Sequence, residues 1–251
     1  RLAFLTGFTG SAGVCVVTAD RAIMFVDGRY TLQVQTQCPS PLFEHEHLIE
    51  TPPQRLLSEQ LAEGDVVGVD ARCLSLQSFE TIQDCLESRG IGFQATGQNL
   101  VDEIWLDRPK APVAPILLLD QAITGMSSMD KRSAVADVLE QQGADAALIT
   151  QLDSIAWLLN IRGDDVPHLP VLLAHGLITK EGHFTLFTDV AKMVDGFSEH
   201  VGDHVSVAPI EAFDDHLAGL SKGVSRLLVD PQSCHAHSPL ICMEHGIELV
   251  R

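Results

Sequence analysis

Short β-type apolar runs alternate along this chain with stretches of helical periodicity, the pattern of an α/β architecture. In the first half, residues 14–18 and 22–26 predict two strands joined by a polar turn containing Asp20. Asp27-Gly28-Arg29 breaks the second strand, and residues 30–37 predict a helix. A strand over 43–48 and a helix opened by Pro52-Pro53 and running through Leu61 follow, with Gly64 as its stop. The valines of 66–69 predict a buried strand, residues 76–88 a helix closed by Gly90, and 92–96 a further strand. In the second half, Ser127 or Ser128 is an N-cap for a helix through Gln142 that Gly143 ends. Residues 146–150 predict a strand and 154–159 a short apolar helix. A hairpin of 171–178 with 183–187, a helix over 210–220, a strand over 226–229, a helix over 239–245 and a strand over 247–250 complete the pattern.

The pattern is written twice. Strands ending in Asp occur at Ala22-Ile23-Met24-Phe25-Val26-Asp27 and Val66-Val67-Gly68-Val69-Asp70, and again at His183 to Asp189 and Arg226 to Asp230. Ile82, Cys85, Glu87, Gly90 and Ile91 follow Asp70, as Ile241, Cys242, Glu244, Gly246 and Ile247 follow Asp230. The expected fold is therefore a duplicated α/β domain. Pro109, Pro112 and Pro115 deny a helix or central strand between the halves and predict a stiff connector. The expected organisation is a first domain over 1–110, a connector over 111–118 and a second domain over 119–251.

Charge narrows the partners. The net charge of −18, from 34 acidic and 16 basic residues, repels nucleic acid and anionic lipid and favours basic partners. Six cysteines without a C-x-x-C pair, in a chain far larger than a disulfide scaffold, point to reduced thiols. No apolar run is long enough to span a bilayer and no basic, apolar signal peptide opens the sequence, so a cytoplasmic protein is expected. The chain opens on Arg and runs at once into an apolar stretch, and it stops on a strand without a tail; an excised fragment is expected.

Candidate chemistry is sparse. The loop Gly7-Phe8-Thr9-Gly10-Ser11-Ala12-Gly13 has spacing that fits neither a dinucleotide fingerprint nor a P-loop, so a tight structural loop is expected. Arg29, beside Gly28 at a strand end, offers a planar fork to a carboxylate or peptide carbonyl; pairing with Asp27 is the competing reading. Arg162, in the cluster Asn160-Ile161-Arg162-Gly163-Asp164-Asp165, sits on a loop between an apolar helix and two prolines; here the competing reading is an ion pair with Asp164 or Asp165. His45 with His47 and Cys234-His235-Ala236-His237 are the densest metal-type donors, but neither has a second donor pair at recognised spacing, and no metal site is expected. No G-x-S-x-G nucleophile elbow occurs and no carboxylate pair is marked by spacing, so no catalytic residue is assigned.

Long ordered motifs nevertheless resemble one family. Phe4-Leu5-Thr6-Gly7-Phe8-Thr9-Gly10-Ser11-Ala12-Gly13, Val26-Asp27-Gly28-Arg29-Tyr30 and Gln33 resemble the opening of the longer Xaa-Pro aminopeptidases, the aminopeptidase P family. So do Asn99 to Trp105 with Asp107-Arg108-Pro109, and Leu152 to Gly163 with Pro170-Val171; Gly125, Ser127 and Lys131 fit the start of that family's second domain.

The resemblance implies two tandem creatinase/prolidase N-terminal-type domains, each a mixed β-sheet flanked by helices, with the family's pita-bread catalytic domain absent. Two divalent ions, manganese or zinc, would belong to that absent domain, where a metal-bound hydroxide attacks the carbonyl before proline. The implied function is the non-catalytic N-terminal portion of a cytoplasmic Xaa-Pro aminopeptidase that supplies cleft walls and subunit contacts. The implied partners are a peptide with proline second and a second copy of the protein in a homodimer. Carried over by motif, Arg29 resembles the residue that reaches substrate from the first domain, and Arg162 a residue near the cleft. The alternatives are a non-enzymatic peptide or basic-protein binding module of the same fold, and a sibling hydrolase such as creatinase or prolidase, which carries one such domain rather than two.

Overall fold

The computed structural model describes residues 1–251 and divides into two compact units, Arg1–Asp70 with Phe79–Pro109 and Ala71–Ser78 with Lys110–Arg251. In the first unit, Ala22–Val26 is the middle strand of three, antiparallel to Gly13–Val17 and parallel to Glu44–His47. Alternate residues of a strand face opposite sides of a sheet, and both sides are covered here. Met24 and Val26 pack with Phe8, Val34 and Cys38, whereas Ile23 and Phe25 pack with Leu56. That is why this strand is an unbroken apolar run. Val66–Val69 pairs in parallel with Gly92–Ala95 in a separate two-stranded sheet. The burial expected for 66–69 does not hold: exposed residues alternate with half-buried ones, because the strand has a neighbour on one edge only.

The second unit is built on one six-stranded mixed sheet, in the order Val205–Pro209, Phe184–Thr188, His175–Thr179, Ala146–Ile149, Arg226–Leu228, Glu248–Val250. Its core joins Ala147, Ile178, Phe184 and Leu186 of the sheet to Leu139, Ile155, Leu158 and Leu159 of the helices Ser128–Gln142 and Leu152–Leu159. Ser127 caps the longer helix by accepting from the Asp130 N–H, and Gly143 ends it at φ 63°. The expected strand over 171–178 begins only at His175. Residues 171–174 are apolar and mostly buried, which made them look like strand, but their backbone serves the loop before them: the Asp165 N–H donates to the Val171 carbonyl and the Leu173 N–H to the Asp165 carboxylate.

The repeat is visible in hydrogen bonds. Val66–Val69, the helix Leu76–Glu87 and Gly92–Ala95 form a parallel β-α-β, as do Arg226–Leu228, the helix His237–Glu244 and Glu248–Val250. Both helices close in the same way. Gly90 and Gly246 adopt φ 71° and 81°, the Gly90 N–H donates to Glu87 and the Gly246 N–H to Met243, and the next residue donates from Ile91 to Leu86 and from Ile247 to Cys242. This closure sets Leu86, not Cys85, opposite Cys242, and both are fully buried.

Candidate functional site

The motifs of the first unit fold onto one another. The Gly7–Gly13 loop carries Phe8 inward, edge-on to Tyr30 at 5.6 Å between ring centres. A Cβ on Gly10 would lie 2.3 Å from the Phe8 ring and 2.8 Å from the Tyr30 ring, so glycine is needed there for contact rather than for phosphate. The Ser11 hydroxyl meets the Tyr30 hydroxyl at 2.7 Å, and Thr9 is held by Gln37 and Gln33. Asn99 caps the helix Leu100–Ile104 and donates to Asp70. Asp102 accepts from Arg1 and pairs with Arg108, while Trp105 stacks on Phe4 at 4.6 Å. Each of these motif residues therefore has a structural task.

Arg29 stands on this platform. Its guanidinium pairs with Asp27 at 2.6 Å, and its side chain is 66% exposed against 16% for Asp27. The Arg29 hydrogen bond holds the Asp27 carboxyl below the usual carboxylate range and raises the guanidinium pKa in turn. The guanidinium also lies 5.1 Å from the Tyr30 ring centre. Asp27 and Tyr30 thus aim an exposed cation whose remaining N–H groups can reach a carbonyl or carboxylate.

Arg162, in the second unit, lies in the two-residue strand Ile161–Arg162 against Leu117–Leu118. Its Nη1 donates to the Ile161 carbonyl, and it forms no ion pair with Asp164 or Asp165. Asp165 is taken by Lys192 instead. Next to Arg162, Lys131 donates to the Trp157 carbonyl at 2.8 Å and the Asn160 side chain at 2.6 Å, and its ammonium sits 4.4 Å from the Trp157 ring centre. Burial, then the charge of Arg162, pushes the Lys131 pKa down. Asn160 adopts φ 55° as the helix C-cap and donates to the Met126 carbonyl, which ties the Asn-x-Arg-Gly motif to the Gly125-to-Lys131 motif.

The histidines have other tasks. His45 bonds to the Cys38 carbonyl, and His47 accepts backbone N–H groups of its own turn. His235 lies edge-on to His175 at 5.2 Å, His175 stacks on Phe213 at 4.3 Å, and His237 bonds to Asp214, which also pairs with Arg72. Arg72, His175, Phe213, Asp214 and His235 border a cavity of about 300 Å³ in the second unit. Burial opposes ionisation of Asp214, but His237 and Arg72 outweigh it and keep its pKa low. No group of three or more His, Cys, Asp or Glu is disposed to hold a metal ion. The Arg72–Asp214 pair could not be read from the sequence, since 142 positions separate its members.

Comparison with known proteins agrees with this geometry. The creatinase/prolidase N-terminal domain family matches residues 1–100, and a second model of that domain matches residues 107–247. The chain belongs to the creatinase/prolidase N-terminal domain family. It is 35% identical over 225 residues to a probable Xaa-Pro aminopeptidase P of Laccaria bicolor, covering 88% of this chain and 35% of that protein. Identity to aminopeptidase P2 of Arabidopsis thaliana is 36% over 242 residues, covering 93% of this chain and 33% of the relative. X-prolyl aminopeptidase from Caenorhabditis elegans, described as a cytosolic enzyme with a di-nuclear active site, superposes with a TM-score of 0.90 at 28% identity over 99% of this chain and 42% of its own. This member of the family thus spans about a third of the length of those curated relatives.

Proposed function

We propose that this chain is the non-catalytic N-terminal portion of a metal-dependent Xaa-Pro aminopeptidase, which releases the residue preceding proline from a peptide. The observation that supports this reading is the correspondence of almost the whole chain with under half of the C. elegans enzyme, together with two matches to the creatinase/prolidase N-terminal domain. Two divalent ions, manganese or zinc, would be held by the catalytic domain and would supply the hydrolytic chemistry there; no residue of this chain is assigned to them. The contribution of these residues is to wall the cleft, to position substrate and to form subunit contacts in a homodimer. The cytoplasmic setting rests on the C. elegans enzyme, described as cytosolic; no helix of this chain is long and apolar enough to cross a membrane.

Within this reading, Arg29 binds a substrate carbonyl or carboxylate from the first domain and Arg162 lines the cleft from the second. The test is Arg29→Ala in the full-length enzyme on an X-Pro peptide. KM rises or kcat falls while the melting temperature holds, and Arg29→Lys recovers only part, because an ammonium lacks the planar fork. Unchanged kinetics would remove Arg29 from substrate binding.

A further inference from the structure

Four separate segments of the second unit converge on the cavity of about 300 Å³. Arg72 comes from the short 3₁₀ turn Ala71–Cys73, His175 opens the strand His175–Thr179, Asp214 lies in the first turn of the helix Phe213–Gly219, and His235 stands just before the helix His237–Glu244. Ile210, Glu211 and Phe213 complete the wall. The volume is at the low end of the range that holds small molecules.

Two ring nitrogens on this wall have no protein partner. Nδ1 of His175 and Nδ1 of His235 are buried and make no hydrogen bond. Burial keeps both rings neutral, pushing the His175 pKa down and that of His235 to about 4. A neutral imidazole donates from one nitrogen and accepts at the other. With Nε2 of His235 on the Ser238 hydroxyl at 3.4 Å, and able to donate there, Nδ1 is left as the acceptor. Asp214 also has an oxygen to spare: Arg72 and His237 both bond to Oδ2, at 2.5 and 3.0 Å, which leaves Oδ1 to accept. Arg72 offsets Asp214 in charge, so with neutral rings Glu211 makes the wall net negative. A ligand that relieves buried, unpaired acceptors must bring N–H donors.

An anion would meet the carboxylates of Asp214 and Glu211, and no three donors are disposed to hold a metal ion. We propose that this cavity is a binding site for a small primary amine, whose ammonium is held by Asp214 and by Nδ1 of His175 and of His235, and whose short apolar stem lies against Ile210 and Phe213. An ammonium brings three donors to these three acceptors. Asp214, with a side chain 40% exposed, keeps one side of the bound charge hydrated, so the ligand is not stripped of water altogether. The inference does not rest on the roles given above to Arg29 and Arg162.

Nuclear magnetic resonance of the histidine Cε1–H signals, assigned with His175→Gln and His235→Gln, tests this. The chain is titrated with n-butylamine, n-butanol and butyrate at about pH 7.5, where the amine is charged. The expected result is that the amine moves the His175 and His235 signals saturably, with a Kd below about 10 mM, while the alcohol and the carboxylate leave them in place. His45 and His47, in the first unit, serve as unmoved controls. Glu211→Lys, which reverses a charge at an exposed position, and Asp214→Asn are each expected to weaken amine binding at least about tenfold. The melting temperature of Glu211→Lys holds, which separates lost binding from lost folding. Absence of a saturable shift with the amine, an equal response to butyrate or butanol, or amine binding unchanged in either variant would overturn the proposal.

Discussion

Lys192 and Asp165 form an ion pair whose side chains are 2% and 1% exposed. Asp165 Oδ2 also accepts the Leu173 N–H, so one carboxylate fixes the path of the loop that follows Arg162-Gly163. Removing one member strands a buried charge, which costs about 3–5 kcal/mol, whereas replacing both by apolar groups costs much less. Lys192→Met is therefore expected to lower stability by that amount and Lys192→Met/Asp165→Leu by clearly less, in urea unfolding followed by circular dichroism. A double variant as unstable as the single one would show that the pair does not act through mutual charge compensation.

Gly163 has no room for a side chain. A Cβ there would sit 2.7 Å from the Leu172 nitrogen and from the Val171 carbonyl group, all backbone atoms that cannot turn aside. Gly163→Ala is expected to cost on the order of 2–3 kcal/mol. Gly219→Ala, at a helical site where an added Cβ meets nothing within 4 Å, is expected to be neutral or mildly stabilising. Differential scanning calorimetry distinguishes the two, and equal melting temperatures would contradict the packing of the 171–172 backbone over Gly163.

Asp145 ties the ends of three strands together. Hydrogen bonds from Lys180, then from the Ser225 and Arg226 N–H groups, pull its pKa down from 3.8 to about 2. A carboxyl depressed in the folded state contributes stability that is present above its unfolded pKa and lost as pH falls through the folded one. The window is about pH 4 to about pH 2. With solvent screening the contribution is about 1 kcal/mol, and in chemical denaturation Asp145→Asn should lose most of its deficit against the parent by pH 2. A deficit independent of pH would exclude this linkage.

His235 titrates the other way in charge but with the same sign in stability. Burial first, then His175, His237 and Arg72, push its pKa down to about 4 against the opposing pull of Asp214. The folded protein therefore holds the ring neutral while the unfolded chain protonates it, so stability falls as pH drops from about 6.5 to about 4. The segment 71–78 is bonded across this residue, with the Leu76 N–H donating to Cys234 and the Ala236 N–H to Leu74. Exchange at those two amides, corrected for the intrinsic pH dependence of exchange, should quicken over that range and respond less in His235→Gln. An unchanged response in the variant would assign the effect elsewhere.

Much of the fold was legible because period and punctuation agree. Gly143 stops a helix, Ser127 caps one, and the apolar run 22–26 is a strand buried on both faces. The strand Val205–Pro209 was not expected, since it pairs on one side only and ends in proline, and short apolar content at a sheet edge leaves little alternation to read. The helix Leu2–Thr6 was not expected, since five residues are too few for a helical period to show. Of the site, the sequence indicated Arg29 and Arg162 but not their settings. Asp27 is two residues from Arg29 and so could be foreseen, whereas the pairing of Asp165 with Lys192, which leaves Arg162 without an acid, is a tertiary contact with no local signature.

The central claim is that these residues position a peptide for a metal centre they do not contain. Hydrolysis of an X-Pro peptide in added Mn²⁺, by the 251-residue chain and by the full-length polypeptide at equal concentration, tests it most directly. The account predicts turnover by the full-length polypeptide and none by the chain alone, with no stoichiometric manganese bound to it. Proline-directed cleavage with tight manganese binding by the 251 residues would contradict it.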